Sequence, residues 1–203
     1  KRQFHGRTVH SAYDSGVSAL ADAARFVAAL SEPNALKLGY NAEFDMSGSQ
    51  CVIGFESGGQ LVLVPEQADV YVDRFTLPGQ TADQAAAQLH AIAAATKIEG
   101  SYELSWDERP TPAPTPYVVP IDSRLVRCVT KHLAAEQQRE IRYILARSVA
   151  DTNHLAVHGG VPTLICGPDG GNTCEANEYV KISSLAPIAR TYLRSAFDLL
   201  GSS

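Results

Sequence analysis

The first half of the chain changes hydrophobic period several times, and each change marks an element. Phe4 to His10 reads as a strand, and Asp14 to Leu30 as a helix with Val17, Leu20, Ala24, Val27 and Ala28 on one face. Tyr40 to Asp45 and Gln50 to Glu56 are short strands separated by Ser47-Gly48-Ser49. Leu61 to Phe75 is a longer strand, interrupted by Pro65 and ended by Pro78-Gly79. Thr81-x-x-Gln84 forms a capping box for a second helix, in which Ala85, Leu89 and Ile92 share a face. Ser101 to Trp106 alternates as a strand. The order β-α-β-β-α-β predicts a ferredoxin-like α+β sandwich: an antiparallel sheet with both helices on one side.

The pattern breaks at Arg109-Pro110-Thr111-Pro112-Ala113-Pro114-Thr115-Pro116. Proline at every second position forms neither helix nor central strand, so residues 109–118 are an extended connector between domains 1–108 and 119–203. After it the order is α-β-α-β-α. Asp122 caps a helix carrying Leu125, Val126, Val129 and Leu133. Ile141 to Leu145 is a short strand, Asp151 to His158 a short helix ended by Gly159-Gly160, and Val161 to Cys166 a buried strand. Ser183 or Ser184 caps a last helix with Leu185, Ile188, Tyr192, Ala196 and Leu199 inside, and Pro187 is tolerated near its first turn. Two strands make a poor sheet, so this half reads as the edge of a larger α/β sheet.

Composition narrows the class. Of 203 residues, 45% are hydrophobic and 19% charged, the balance of a globular chain. A net charge of −5 without a basic run argues against nucleic acid, and no apolar run reaches the ~18 residues of a membrane helix. Cys51, Cys128, Cys166 and Cys174 lack C-x-x-C spacing, which predicts reduced thiols in a cytoplasmic protein.

Several residues have the chemistry of a site. Gly6-Arg7-Thr8-Val9-His10 sets a histidine at a strand end, where the spacing alone reads as an ordinary solvated ring. Arg74 sits on an alternating strand and reads alone as a surface charge. Asp151 suits a helix N-cap. His154 and His158 have metal-binding spacing with no third ligand beside them, so solvated or core histidines are the better reading. Gly170-Gly171-Asn172-Thr173-Cys174-Glu175-Ala176-Asn177-Glu178-Tyr179 is a Gly-rich turn after an apolar strand, the kind of place where α/β enzymes carry their chemistry.

Together these segments resemble the zinc-dependent aminoacylase/carboxypeptidase family, which includes carboxypeptidase G, acetylornithine deacetylase and succinyl-diaminopimelate desuccinylase. The family's last active-site loop reads His-Thr-x-Asn-Glu-Tyr, with the histidine a zinc ligand. Here Asn177-Glu178-Tyr179 matches, and Cys174 stands at the histidine position. Its Gly-x-x-x-His at the start of the lid matches Gly6 to His10, and the Pro of its Asn-x-x-Pro matches Pro65. The family's Asn is replaced by Val62, and the Arg of its Asp-x-Arg by Asn153.

The resemblance covers nearly the whole chain but only the family's C-terminal half. It implies a lid or dimerisation domain followed by a C-terminal segment of a larger zinc-peptidase-like catalytic domain. The His-x-Asp, bridging Asp and Glu-Glu of the missing N-terminal catalytic half do not occur here. The implied activity is hydrolysis of an amide in N-acyl amino acids or small peptides, by metal-activated water. In it His10 stabilises the oxyanion in the partner subunit, Arg74 grips the substrate carboxylate, and Asn153 and Gly171 face the substrate. The implied metal is zinc, two ions in the intact site with other divalent ions possible, and Cys174 would be the one ligand from this chain. The implied partner is a second copy, joined through the lid at the edge Gln50 to Glu56. A non-catalytic or altered-metal relative, and a lid acting only as a dimerisation module, remain open alternatives.

Overall fold

In the computed structural model, which describes residues 1–106, 115–148 and 150–201, β1 (Arg2–His5) is followed by α1 (Ala19–Ser31) and a small hairpin of β2 (Tyr40–Asn41) and β3 (Met46–Ser47). Then come β4 (Ser49–Ser57), β5 (Gln67–Phe75), α2 (Ala82–Ala95) and β6 (Ser101–Leu104). The sheet order is β4-β5-β1-β6 with antiparallel neighbours, the ferredoxin-like topology. These elements belong to a first compact unit, Lys1–Pro116, and a second unit comprises Tyr117–Ser203. Most of the expected connector lies in 107–114, outside the described residues.

The core of the first unit follows from strand parity. Phe4, Ala68 and Val70 face Ala19, Ala23, Phe26 and Leu30 of α1 and Leu89 and Ala93 of α2. A fully buried Phe contributes about 2–3 kcal/mol by transfer alone. Two charged side chains share this core. Arg2 is fully buried, its guanidinium 4.4 Å from the Tyr102 ring centroid and 5.3 Å from that of Phe26. Asp22 is also fully buried, and its carboxylate accepts from the Glu99 amide at 3.1 Å, the Gly100 amide at 2.9 Å and the Arg25 guanidinium. It thereby ties α1 to the turn before β6.

Several boundaries differ from the sequence reading, each for a local reason. Helix α1 begins at Ala19, not Asp14, because residues 7–17 pair with each other first. Arg7 and Val17 exchange backbone hydrogen bonds of 2.8 and 3.1 Å. Gly16 turns the chain at φ +60, where a Cβ would stand 2.7 Å from the Arg7 carbonyl. Ser18 then caps α1 by accepting from the Ala21 amide at 3.2 Å. The expected strand Leu61–Phe75 begins only at Gln67, because Val62 is left-handed (φ 63) and Pro65 interrupts the ladder. The Thr81/Gln84 capping box forms on both sides, at 3.2 and 3.0 Å.

In the second unit α3 (Arg124–Gln137) packs on α4 (Ile182–Leu200). Ser123, not Asp122, caps α3. Glu136 of α3 lies 2.7 Å from both Arg190 and Arg194 of α4. Between the helices lie a π-helical turn, His154–His158, and a hairpin of β7 (Gly170–Gly171) and β8 (Tyr179–Val180). The strands expected at Ile141–Leu145 and Val161–Cys166 do not form. An apolar segment becomes a strand only when a neighbour supplies its ladder, and within this unit none does. The α4 face is also corrected: Ser184, Ile188, Thr191 and Ser195 are buried, whereas Leu185, Tyr192 and Ala196 are exposed. Ser184 does not cap α4, since its hydroxyl donates to the Lys181 carbonyl at 2.6 Å and accepts from the Asp169 amide at 3.0 Å. No helix among the described residues is long and apolar enough to cross a membrane.

Candidate active-site residues

His10 follows β1, where the antiparallel pairing runs on past the start of β5. Gly6 donates to Glu66, Val64 donates to Val9, and His10 bridges Leu63. Its ring is exposed and lies 5.1 Å from that of Tyr13. Nδ1 accepts from the Ala12 amide at 3.2 Å. An accepting Nδ1 places the proton of the neutral ring on Nε2, so the outward nitrogen is a hydrogen-bond donor. The loop opposite is strained. Val62 takes φ 63 and is held there by the Ser11 amide, which donates to its carbonyl at 2.8 Å. A β-branched residue rarely adopts this conformation, whereas Asn adopts it readily.

Arg74 is near the other end of β5. It continues the row Ala68, Val70, Val72 and so faces the helices instead of standing as a surface charge. With Thr76, Gln80, Thr81, Gln84 and Gln88 it lines a cavity of about 390 Å³. Its Nε and Nη1 are buried and have no hydrogen-bond partner among the described residues. Burial lowers its pKa, but a guanidinium remains charged in proteins. A half-buried cation with unused donors, in a cavity of mixed polar and apolar lining, is suited to a carboxylate. From Gln67 to Arg74 the strand extends roughly 23 Å. His10 and Arg74 therefore lie toward opposite ends of the sheet and do not converge within one lid.

The second unit holds the other expected residues. Gly170 and Gly171 pair with Val180 and Tyr179, and the Tyr179 ring covers Gly171, where a Cβ would stand 2.8 Å from the hydroxyl. The loop between them turns through left-handed Asn172, Cys174 and Asn177. The Cys174 thiol is exposed, and its amide donates to Glu178 Oε2 at 3.4 Å. Among the described residues no group of three ligating side chains includes Cys174. The chain by itself therefore does not fit the zinc pair that the resemblance implies. Asn153 opens the π-helical turn, and its Oδ1 accepts from the Ala150 amide at 3.4 Å. Asp151 enters that turn through its carbonyl, which accepts from His154 at 3.0 Å. His154 and His158 have ring centroids 5.9 Å apart, are both exposed, and belong to no three-ligand group among the described residues. The sequence reading missed one convergence: Cys128 and His132 of α3 meet Asp198 of α4. The i, i+4 spacing of Cys128 and His132 was visible in the sequence, but the helix pairing that brings Asp198 was not.

Comparison with known proteins places these elements. Residues 1–101 match the peptidase dimerisation domain. No curated protein sequence matches the chain. Aminopeptidase PepT from Bacillus cereus shares the fold with a TM-score of 0.63 at 17% identity, over 96% of this chain and 49% of its own. The di-peptidase Dug1p from Saccharomyces cerevisiae gives 0.66 at 12% identity, over 96% and 52%. An M20 family metallo-carboxypeptidase from Sulfolobus solfataricus gives 0.52 at 17%, over 83% and 40%. The chain spans about half the length of these structures or less. Over residues 1–101 the first unit thus matches the M20 peptidase dimerisation domain, and the chain shares its fold with solved structures of M20 peptidases.

Proposed function

We propose that the chain is the lid and C-terminal catalytic segment of a metal-dependent amidohydrolase acting on N-acyl amino acids or small peptides. The observation that carries this reading is Arg74: a half-buried guanidinium with two unpartnered nitrogens, in a cavity that also presents Thr76, Gln80, Thr81, Gln84 and Gln88, suits the free carboxylate of such a substrate. His10 supplies the complementary group, an Nε2–H able to donate to an oxyanion. Such a donor contributes about 3 kcal/mol to the transition state. Because the two residues lie at opposite ends of one sheet, each serves a different active site of a homodimer. Cys174 is the metal donor from this chain and the remaining ligands come from outside it, so this chain alone does not turn over substrate. Four free thiols suit a reducing compartment such as the cytoplasm.

The rival reading is a free-standing dimerisation module. Exposed apolar side chains in the second unit favour the first, because Ile144, Ile182, Phe197 and Leu200 are 69–81% exposed and need a cover. The test has two arms. Sequence preceding Lys1 in the parent gene should encode His-x-Asp and Glu-Glu. The longer product should cleave N-acyl amino acids, with Arg74→Ala acting mainly on KM and His10→Ala mainly on kcat. Turnover by the 203-residue chain with stoichiometric metal, or a longer product indifferent to Arg74→Ala, overturns the reading.

A further inference from the structure

Helices α3 and α4 bring together ligand chemistry that the Cys174 loop does not use. Cys128 and His132 are four residues apart on α3, so their side chains lie one above the other on one face. Asp198 meets them from α4, with His132 Nε2 and Asp198 Oδ2 2.8 Å apart. One thiol sulfur, one imidazole nitrogen and one carboxylate oxygen all lie within 4.8 Å of one another. Zinc bonds are about 2.0–2.3 Å long, so rotation of these side chains brings all three atoms onto one ion. The His132 side chain is only 12% exposed and that of Asp198 is 45% exposed, so the cluster is sheltered on one side and reachable on the other. Ser195, one turn before Asp198 on α4, adds an independent mark. Its carbonyl is 3.8 Å from Cys128 Sγ, and its hydroxyl is buried without a hydrogen-bond partner among the described residues.

We propose that Cys128, His132 and Asp198 bind one divalent ion of the zinc class, which clamps α3 to α4. Thiolate and carboxylate bring two negative charges, and neutral imidazole brings none, so the set neutralises a divalent cation. A sulfur–nitrogen–oxygen donor set selects zinc or cobalt over magnesium and calcium. Three protein ligands leave the fourth tetrahedral position to water. The resident competitor is Lys131, whose Nζ is 3.1 Å from Asp198 Oδ2. Its side chain is 70% exposed, so it can swing into solvent when the ion arrives. This site stands independently of the amidohydrolase reading.

The test is titration of the reduced, metal-stripped chain with cobalt(II), followed by competition with zinc. We expect one equivalent to bind with thiolate-to-cobalt charge-transfer absorption. That absorption should survive Cys174→Ser and Cys166→Ser and vanish in Cys128→Ser. His132→Gln and Asp198→Asn should each weaken zinc at least about tenfold, since loss of even an outer-shell partner costs that much. Lys131→Gln leaves every ligand in place and removes one competing ion pair from Asp198, so it should tighten zinc binding without affecting the fold. Absence of the band, a band that follows Cys174, or an affinity that Lys131→Gln leaves unchanged or lowers overturns the proposal.

Discussion

Val62 shows how a backbone turn can hold a conformation that its own side chain disfavours. The family pattern has Asn at this position, and the backbone here keeps the left-handed turn that suits Asn, at φ 63. Valine holds the turn only because the His10–Leu63 bridge and the Ser11 amide fix it from both sides. Val62→Asn should therefore stabilise the lid by about 1 kcal/mol, read as a higher denaturant midpoint at unchanged slope. An equal or lower midpoint would show that the turn is not strained. Asp22 is the opposite case, a charge used entirely for structure. Asp22→Ala strands the Glu99 and Gly100 amides and should cost about 3 kcal/mol in the same assay. The missing Asn could be read from the sequence, because the motif around it survives. The role of Asp22 could not, since its partners lie across the fold and within an unremarkable Glu99-Gly100 pair.

Elements with an internal signal were legible, and those that depend on a neighbour were not. Helix α2 carries its own start signal, and both halves of the capping box formed. The segments at 141–145 and 161–166 carry apolar runs but no partner, and runs without partners do not become strands. Edge strand β4 lies between these cases. It forms where expected, with a register shift between Val52 and Gly54 that leaves Ile53 60% exposed. A bulge on an edge limits open-ended pairing, so contact with a second copy should depend on side chains such as Ile53 and Phe55 as well as on backbone. Ile53→Lys should weaken the dimer by at least about tenfold in sedimentation, equivalent to about 1.4 kcal/mol. An unchanged dimer would place the interface elsewhere. The α3–α4 pair has its own signature in pH. The hydrogen bond from Arg190, reinforced by the charges of Arg190 and Arg194, holds the Glu136 carboxyl below the usual glutamate range. A depressed acid stabilises the fold above its unfolded pKa, about 4.3, and loses that contribution as pH falls through the lower folded value. The Glu136 contribution to the melting temperature should thus fade below about pH 4.3, and Glu136→Gln should flatten that limb. Parallel curves for the two proteins would remove Glu136 from the account.

At the scale of the molecule, the first unit has a closed core, and the second has apolar side chains facing outward. Exposed apolar side chains occur in the first unit as well, Tyr13 and Leu61 among them, and the chain spans about half of its structural neighbours. The arrangement of the lid residues has a further consequence, in genetics more than in energetics. If His10 and Arg74 of one subunit work in different sites, then crossing a His10→Ala subunit with an Arg74→Ala subunit concentrates both lesions in one site and leaves the other intact. Two impaired preparations of the parent protein, exchanged at random and assayed at substrate well below the KM of the Arg74→Ala variant, should recover roughly a quarter of normal activity, because half the dimers are mixed and each carries one good site of two. Within a single strain, two defective alleles would rescue each other, as two defects confined to one subunit's own site never could.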